Sequence, residues 1–184
     1  PLYLRMRRKL CDLVPELLQM PEDESVVLLR QYESLSESED PQRRGYILQD
    51  LMRRTVELHG LKATKSFTRS GGGEQIDGGF ELDGWYYLVE CRWREKLDDI
   101  RDLDGLYGQI DRSGAQTMGV YLSINGWSEN VPKLLKNYTR KGILLVNGAD
   151  IRSVLQGTIS FKELILGKVK ALNFHSEPFV AAQV

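Results

Sequence analysis

The chain has 184 residues, 28% of them charged and 41% hydrophobic, with 25 Lys and Arg against 26 Asp and Glu. This length and apolar fraction supply one domain with a real core, and they exclude wholesale disorder and collagen-like repeats. A formal charge of −1 also excludes a protein that coats nucleic acid through bulk positive charge, so any such contact has to be local.

In chain order, the opening PLYLRMRRKLCDLVPELL repeats Leu10, Val14, Leu17 and Leu18 at helical spacing, with Pro15 as a break or kink. Val26 to Tyr32 predicts a second short helix, and the polar run SLSESEDP at 34–41 a linker. Residues 1–40 carry 5 basic and 9 acidic side chains, net −4, whereas the remaining 144 carry 20 and 17, net +3. The expected organisation is a helical appendage with an acidic linker over 1–40 and one α/β domain over 41–184. A start at Pro1 rather than Met is expected of a piece of a longer protein. Past the linker, Tyr46, Leu48, Leu51, Met52, Thr55 and Leu58 predict a helix over 42–59, stopped by Gly60. A strand from Leu61 to Phe67, a mobile SGGG run at 70–73 and a hairpin over 74–96 follow. Next come a helix near 98–113, a strand over 117–124, a turn at Asn125-Gly126 and a helix started by Ser128. A strand over 143–146 and helices near 149–155 and 160–172 complete a mixed sheet flanked by helices.

No segment approaches the roughly 18 consecutive apolar residues of a membrane span, and no small-residue cleavage site follows the first helix pattern. Cys11 and Cys91, with His59 and His175, form neither a CxxC pair nor a zinc spacing. The expected setting is a reducing cytoplasm.

The hairpin carries the chemistry. Asp83-Gly84 between two alternating runs is a strong turn signal. With these as the central turn residues, Leu82 faces Trp85 and Asp77 falls opposite Glu90. Side-chain alternation then collects Ile76, Phe80, Leu82, Trp85, Tyr87, Val89, Cys91 and Trp93 on an apolar face. The other face holds Asp77, Glu81, Glu90 and Arg92. Two opposed carboxylates repel, and relax by sharing a proton or a cation. Such a pair suits Mg²⁺, which binds through one or two carboxylates plus substrate oxygens. Arg92 on the same face supplies a positive charge, the layout of metal-assisted phosphodiester hydrolysis. The same residues also suit a solvated, salt-bridged strand face, and a bulge at Gly78-Gly79 would shift the pairing.

Three blocks, RRGYILQDLM at 43–52, GGEQIDGGFELDGWYYLVECRW at 72–93 and GVYLSINGWSE at 119–129, resemble the restriction endonuclease-like domain of the PD-(D/E)XK nuclease superfamily. The resemblance covers about residues 42–160. It implies a restriction endonuclease-like mixed β-sheet flanked by helices. It further implies a Mg²⁺-dependent (or Mn²⁺-dependent) DNA endonuclease of restriction or phage defence, acting as a homodimer or larger homo-oligomer. By this likeness Asp77 and Glu90 are metal ligands and the Cys91 carbonyl a third. Arg92 stands where the family has a catalytic Lys, and Gln49 where many members have a Glu. Both are departures: Arg stays protonated and cannot act as a base, and Gln49 lacks a charge near the metal. A catalytically impaired nuclease-like domain serving as a DNA-binding or regulatory module is the alternative, and a protein-interaction domain with an acidic face a third reading.

Arg69, Arg94 and Lys96 flank the site as candidate phosphate contacts, or as solvated surface residues. Trp93 and Trp127 are candidate base-stacking residues, Trp93 being expected in the core. His59 is expected as a capping or surface residue.

Overall fold

A computed structural model describes residues 23–69, 73–137 and 142–182. The expected first helix and most of the SGGG run lie outside these residues. Helix α1 (Glu24–Leu35) begins at Asp23, whose carboxylate accepts from the Ser25 amide. Helix α2 (Pro41–Leu58) begins at Asp40, which accepts from the Gln42 and Arg43 amides, with Pro41 in the first turn where no N–H is needed. It ends at His59, followed by Gly60 at φ +75°, the left-handed position that favours glycine.

The strands are β1 (Lys62–Thr64), β2 (Phe67–Thr68), β3 (Gln75–Ile76), β4 (Gly78–Leu82), β5 (Trp85–Arg92), β6 (Thr117–Ser123) and β7 (Ile143–Asn147). Five form one mixed sheet in the order β1-β4-β5-β6-β7, and β2 with β3 forms a separate two-stranded ribbon. The pairs β1–β4 and β4–β5 are antiparallel, whereas β5–β6 and β6–β7 are parallel. The single strand expected over Leu61 to Phe67 is thus two. Lys62–Thr64 pairs with β4, and Phe67–Thr68 leaves to pair with β3.

Between β5 and β6 run a 3₁₀ turn (Ile100–Leu103) and helix α3 (Asp104–Asp111). Helix α4 (Asn130–Leu135) does not start at Ser128 as expected: Glu129 is its cap position and makes no side-chain cap bond. Ser128 is held by donating its amide to the Asp98 carbonyl, beside the bridge between Asp98 and Trp127. Helices α5 (Gly148–Leu155) and α6 (Phe161–His175) start at Asn147 and Ser160, each with a reciprocal capping box.

The sheet separates two apolar layers. One unites Leu28, Tyr32 and Leu35 of α1 and Leu48, Leu51 and Met52 of α2 with Phe80, Tyr87, Val89 and Cys91 of the sheet, and with α5 and α6. Residues 24–35 therefore share the core of the domain. The other joins Ile76 and Leu88 to Leu103, Leu106, Ile110, Tyr121 and Val131. No helix among the described residues is long and apolar enough to cross a membrane.

Candidate active site

The Asp83-Gly84 turn sets the geometry. Asp83 lies at φ 51° and Gly84 at φ 79°, the doubly positive pair that matches the right-handed twist of a hairpin. Pairing runs as expected from Leu82↔Trp85 to Gly78↔Val89. It then stops. Ile76 pairs with Phe67 of β2 instead of Cys91, and its side chain joins the layer containing Leu88, opposite that of Phe80 and Val89. The expected apolar face is corrected at both ends: Ile76 has changed sides, and Trp85 is 41% exposed.

Asp77 sits at the break between β3 and β4, where the chain leaves the ladder. It has no ladder partner, so its direct opposition to Glu90 is replaced by a different contact. Its Oδ2 accepts from the Cys91 amide at 3.0 Å, anchoring the carboxylate beside the Glu90–Cys91 peptide. Asp77, Cys91 and Gln49 line one cleft of about 230 Å³, together with Tyr46, Arg53 and Lys65. Two glycines in its lining, Gly78 and Gly79, pack closely against neighbouring backbone. A Cβ on Gly78 would lie 3.3 Å from the Thr64 carbonyl oxygen, and one on Gly79 would lie 3.0 Å from that of Tyr87.

Glu90 is 8% exposed, and Oε1 is contacted by the Arg92 guanidinium. Burial raises its carboxyl above the ordinary range; Arg92 opposes the rise and the charge of Asp77 adds to it. Burial works against the charge of Arg92 too, but Glu90, Tyr121 and Asp77 outweigh it and keep the guanidinium protonated. The set is thus two interacting carboxylates with one cation. These hard oxygens, still repelling each other beside Arg92, fit a divalent ion of the Mg²⁺ type. No group of three or more His, Cys, Asp or Glu among the described residues is placed to hold a metal ion, so water and substrate would have to complete such a shell.

The other expected residues separate. Arg69 is spent inside the protein: it contacts Glu74 at 3.5 Å, the Gln109 carbonyl at 3.2 Å and Ser113 Oγ at 2.6 Å, tying the β2–β3 ribbon to α3. Arg94 contacts Asp102 at 2.6 Å and Asp98 at 3.6 Å. Lys96 is exposed. Trp93 packs against the main core, with Tyr32 at 5.7 Å and the Arg44 guanidinium at 5.7 Å from its ring. Trp127 meets Phe179 edge-on at 5.1 Å. His59 caps α2 and stacks on Phe161.

Two residues missed in the sequence extend the site beyond Arg92: Tyr121 beside its guanidinium, and Asp98 beside Tyr121. Tyr121 is the parallel partner of Glu90 and fully buried; burial and the Asp98 carboxylate raise its hydroxyl pKa well above the ordinary value. Asp98 is 1% exposed. Neither carries a local motif, and only the register of β6 and the bridge at Trp127 bring them here.

No protein-family model and no curated protein matches the sequence. Solved structures do. AF1548, a protein of unknown function, matches with a TM-score of 0.52 and 21% identity, over 68% of this chain and 77% of its own. Protein VC1899 from Vibrio cholerae matches at 0.51 and 15% identity, over 66% of this chain and 34% of its own. The small subunit of the heterodimeric restriction endonuclease R.BspD6I matches at 0.51 and 11% identity, over 77% of this chain and 84% of its own. With its five-stranded mixed sheet between helical layers, this chain has the restriction endonuclease-like fold.

Proposed function

We propose that the chain is a metal-dependent DNA endonuclease that hydrolyses phosphodiester bonds, in restriction or phage defence. The observation that carries this is the Asp77 carboxylate, anchored on the Cys91 amide beside an open cleft, with its charge acting on the buried Glu90 next to Cys91 in the strand. The restriction subunit among the structures of like fold supports the same reading. Asp77, Glu90 and the Cys91 carbonyl would hold Mg²⁺ or Mn²⁺. When bound, the ion supplies Lewis acidity toward the phosphate and acidifies a water nucleophile.

The chain's own residues do the rest. The Cys91 N–H fixes the Asp77 carboxylate. Arg92 cannot accept a proton, so its role is to neutralise charge gathering on the phosphate oxygens. Gln49 lines the same cleft and offers a neutral hydrogen-bonding group to water or phosphate. The exposed Lys96 is free to meet backbone phosphate. Arg69 and Arg94 would first have to leave their carboxylates. Cutting both strands needs two such sites, which a homodimer or larger homo-oligomer supplies.

The contact between Arg92 and Glu90 favours a second reading, a catalytically impaired module that binds DNA. Plasmid cleavage with Mg²⁺ or Mn²⁺ separates the two. Wild type cuts under the first reading, and Asp77→Ala and Glu90→Ala abolish cutting. An inert wild type with an active Arg92→Lys supports the second. Undiminished cutting by both alanine variants rules out the carboxylate pair as the site.

A further inference from the structure

Six buried side-chain polar atoms among the described residues lack a hydrogen-bond partner, and four belong to three residues linked through Tyr121, the strand partner of Glu90: Arg92 Nε, both carboxylate oxygens of Asp98 and the Tyr121 hydroxyl. Buried groups of this kind are normally satisfied, because leaving one unpaired is costly. Asp98 is the extreme case, a carboxylate 1% exposed whose nearest cation, Arg94, stands 3.6 Å away. Its backbone is fixed, donating to the Gly126 carbonyl and accepting from the Ser128 amide. The Tyr121 hydroxyl stands between Asp98 and Arg92, within loose hydrogen-bonding reach of each, but with neither does it have the geometry of a formed bond. The cation of the set is the guanidinium of Arg92, on a long side chain that now meets Glu90.

Resting on the proposed metal site, we infer that Asp98 and Tyr121 are positioning residues for Arg92, forming a second seat that receives its guanidinium when a divalent cation takes Glu90. A guanidinium in contact with Glu90 and a divalent ion on the same carboxylate repel each other. An anion and a hydroxyl with no formed hydrogen bonds of their own, the anion held only by the longer contact to Arg94, give the displaced cation somewhere to go while it stays within reach of the phosphate. The seat thereby converts Arg92 from a competitor for Glu90 into a charge partner for substrate. It also gives a reason for the chain to keep a buried carboxylate that no hydrogen bond repays.

The test is Mn²⁺ binding by calorimetry on the full chain, with no nucleic acid present. Asp98→Asn should weaken binding about tenfold and Tyr121→Phe less, because Arg92 then stays on Glu90. Arg92→Gln should tighten it, and in that background Asp98→Asn should have no further effect. Equal effects of Asp98→Asn with and without Arg92 overturn the inference and leave the metal pair standing. No binding even in Arg92→Gln, where Glu90 is released, refutes the metal pair and the seat with it. Tyr121→Phe removes only a hydroxyl whose contacts fall short of formed hydrogen bonds. An unchanged affinity in that variant, should Asp98→Asn fail to fold, also overturns the inference.

Discussion

The ion pair between Lys168 of α6 and Asp150 of α5 gives a stability prediction that leaves the cleft untouched. Both side chains are 2% exposed, with Nζ 2.8 Å from Oδ2. Nζ also donates to the Val180 carbonyl at 2.7 Å and lies 4.6 Å from the Phe179 ring centre. Asp150 accepts from the Asn147 amide at 3.1 Å and the Ala182 amide at 2.9 Å. Lys168→Met keeps the length of the side chain but strands a buried carboxylate, a change that costs about 3–5 kcal/mol. The two amides that remain on Asp150 put the expected cost toward the lower end. For a chain of this size that is a fall in Tm of about 6–20 °C. Urea unfolding at neutral pH followed by circular dichroism measures it. Adding Asp150→Asn removes the stranded charge and should return stability to within about 1–2 kcal/mol of wild type, since a buried pair and its uncharged replacement are often nearly equal. A Lys168→Met protein within about 1 kcal/mol of wild type, or a double variant less stable than the single, would refute the reasoning.

Gly119→Ala should cost about 1–3 kcal/mol by overpacking, because its Cβ would stand 2.6 Å from Ile110 Cδ1 and 3.0 Å from Leu106 Cδ2; equilibrium denaturation checks this. Burial lowers the pKa of His59, with Glu163 opposing. The unfolded chain therefore takes up the proton first as pH falls. The His59 contribution is complete above its unfolded value of about 6.5 and declines through that value toward the lower folded one. Replacing His59 with Gln should flatten the stability profile between about pH 5 and 7, and an unchanged slope counts against the assignment. In plasmid cleavage, Asp77→Ala and Glu90→Ala should each lower the rate by at least about 100-fold, the scale of losing a group that acts only in the transition state. Gln49→Ala should lower it less.

The local signals in the sequence were reliable where local physics decides. Asp83-Gly84 supplied the positive φ angles of the turn, and period-two alternation then fixed pairing from Leu82↔Trp85 to Gly78↔Val89. Gly60 ended α2 where the helical pattern did, while its start, capped by Asp40 with Pro41 in the first turn, lies inside the end of the expected linker. Glu90 and Arg92, two apart on one strand, were bound to share a face.

Past Gly78 the ladder is decided elsewhere. Phe67 and Thr68, several residues upstream, take Ile76 and Gln75 as partners, which turns Ile76 to the other face and leaves Asp77 at a break with its carboxylate on the Cys91 amide. No turn or alternation inside the hairpin encodes that competition. The same holds for Tyr121, which reaches Arg92 only because a crossover lays β6 parallel to β5, and for Asp98, which meets Tyr121 where the Asp98–Trp127 bridge closes. Turn chemistry and periodicity within a few residues already specify the hairpin near its turn, its acidic residues and the succession of most helices and strands from residue 24 on, the split of the expected strand at 61–67 excepted. The tertiary structure alone decided which carboxylate meets which amide and what surrounds the guanidinium. Those contacts join segments many residues apart, and their register is set by the packing of the whole sheet.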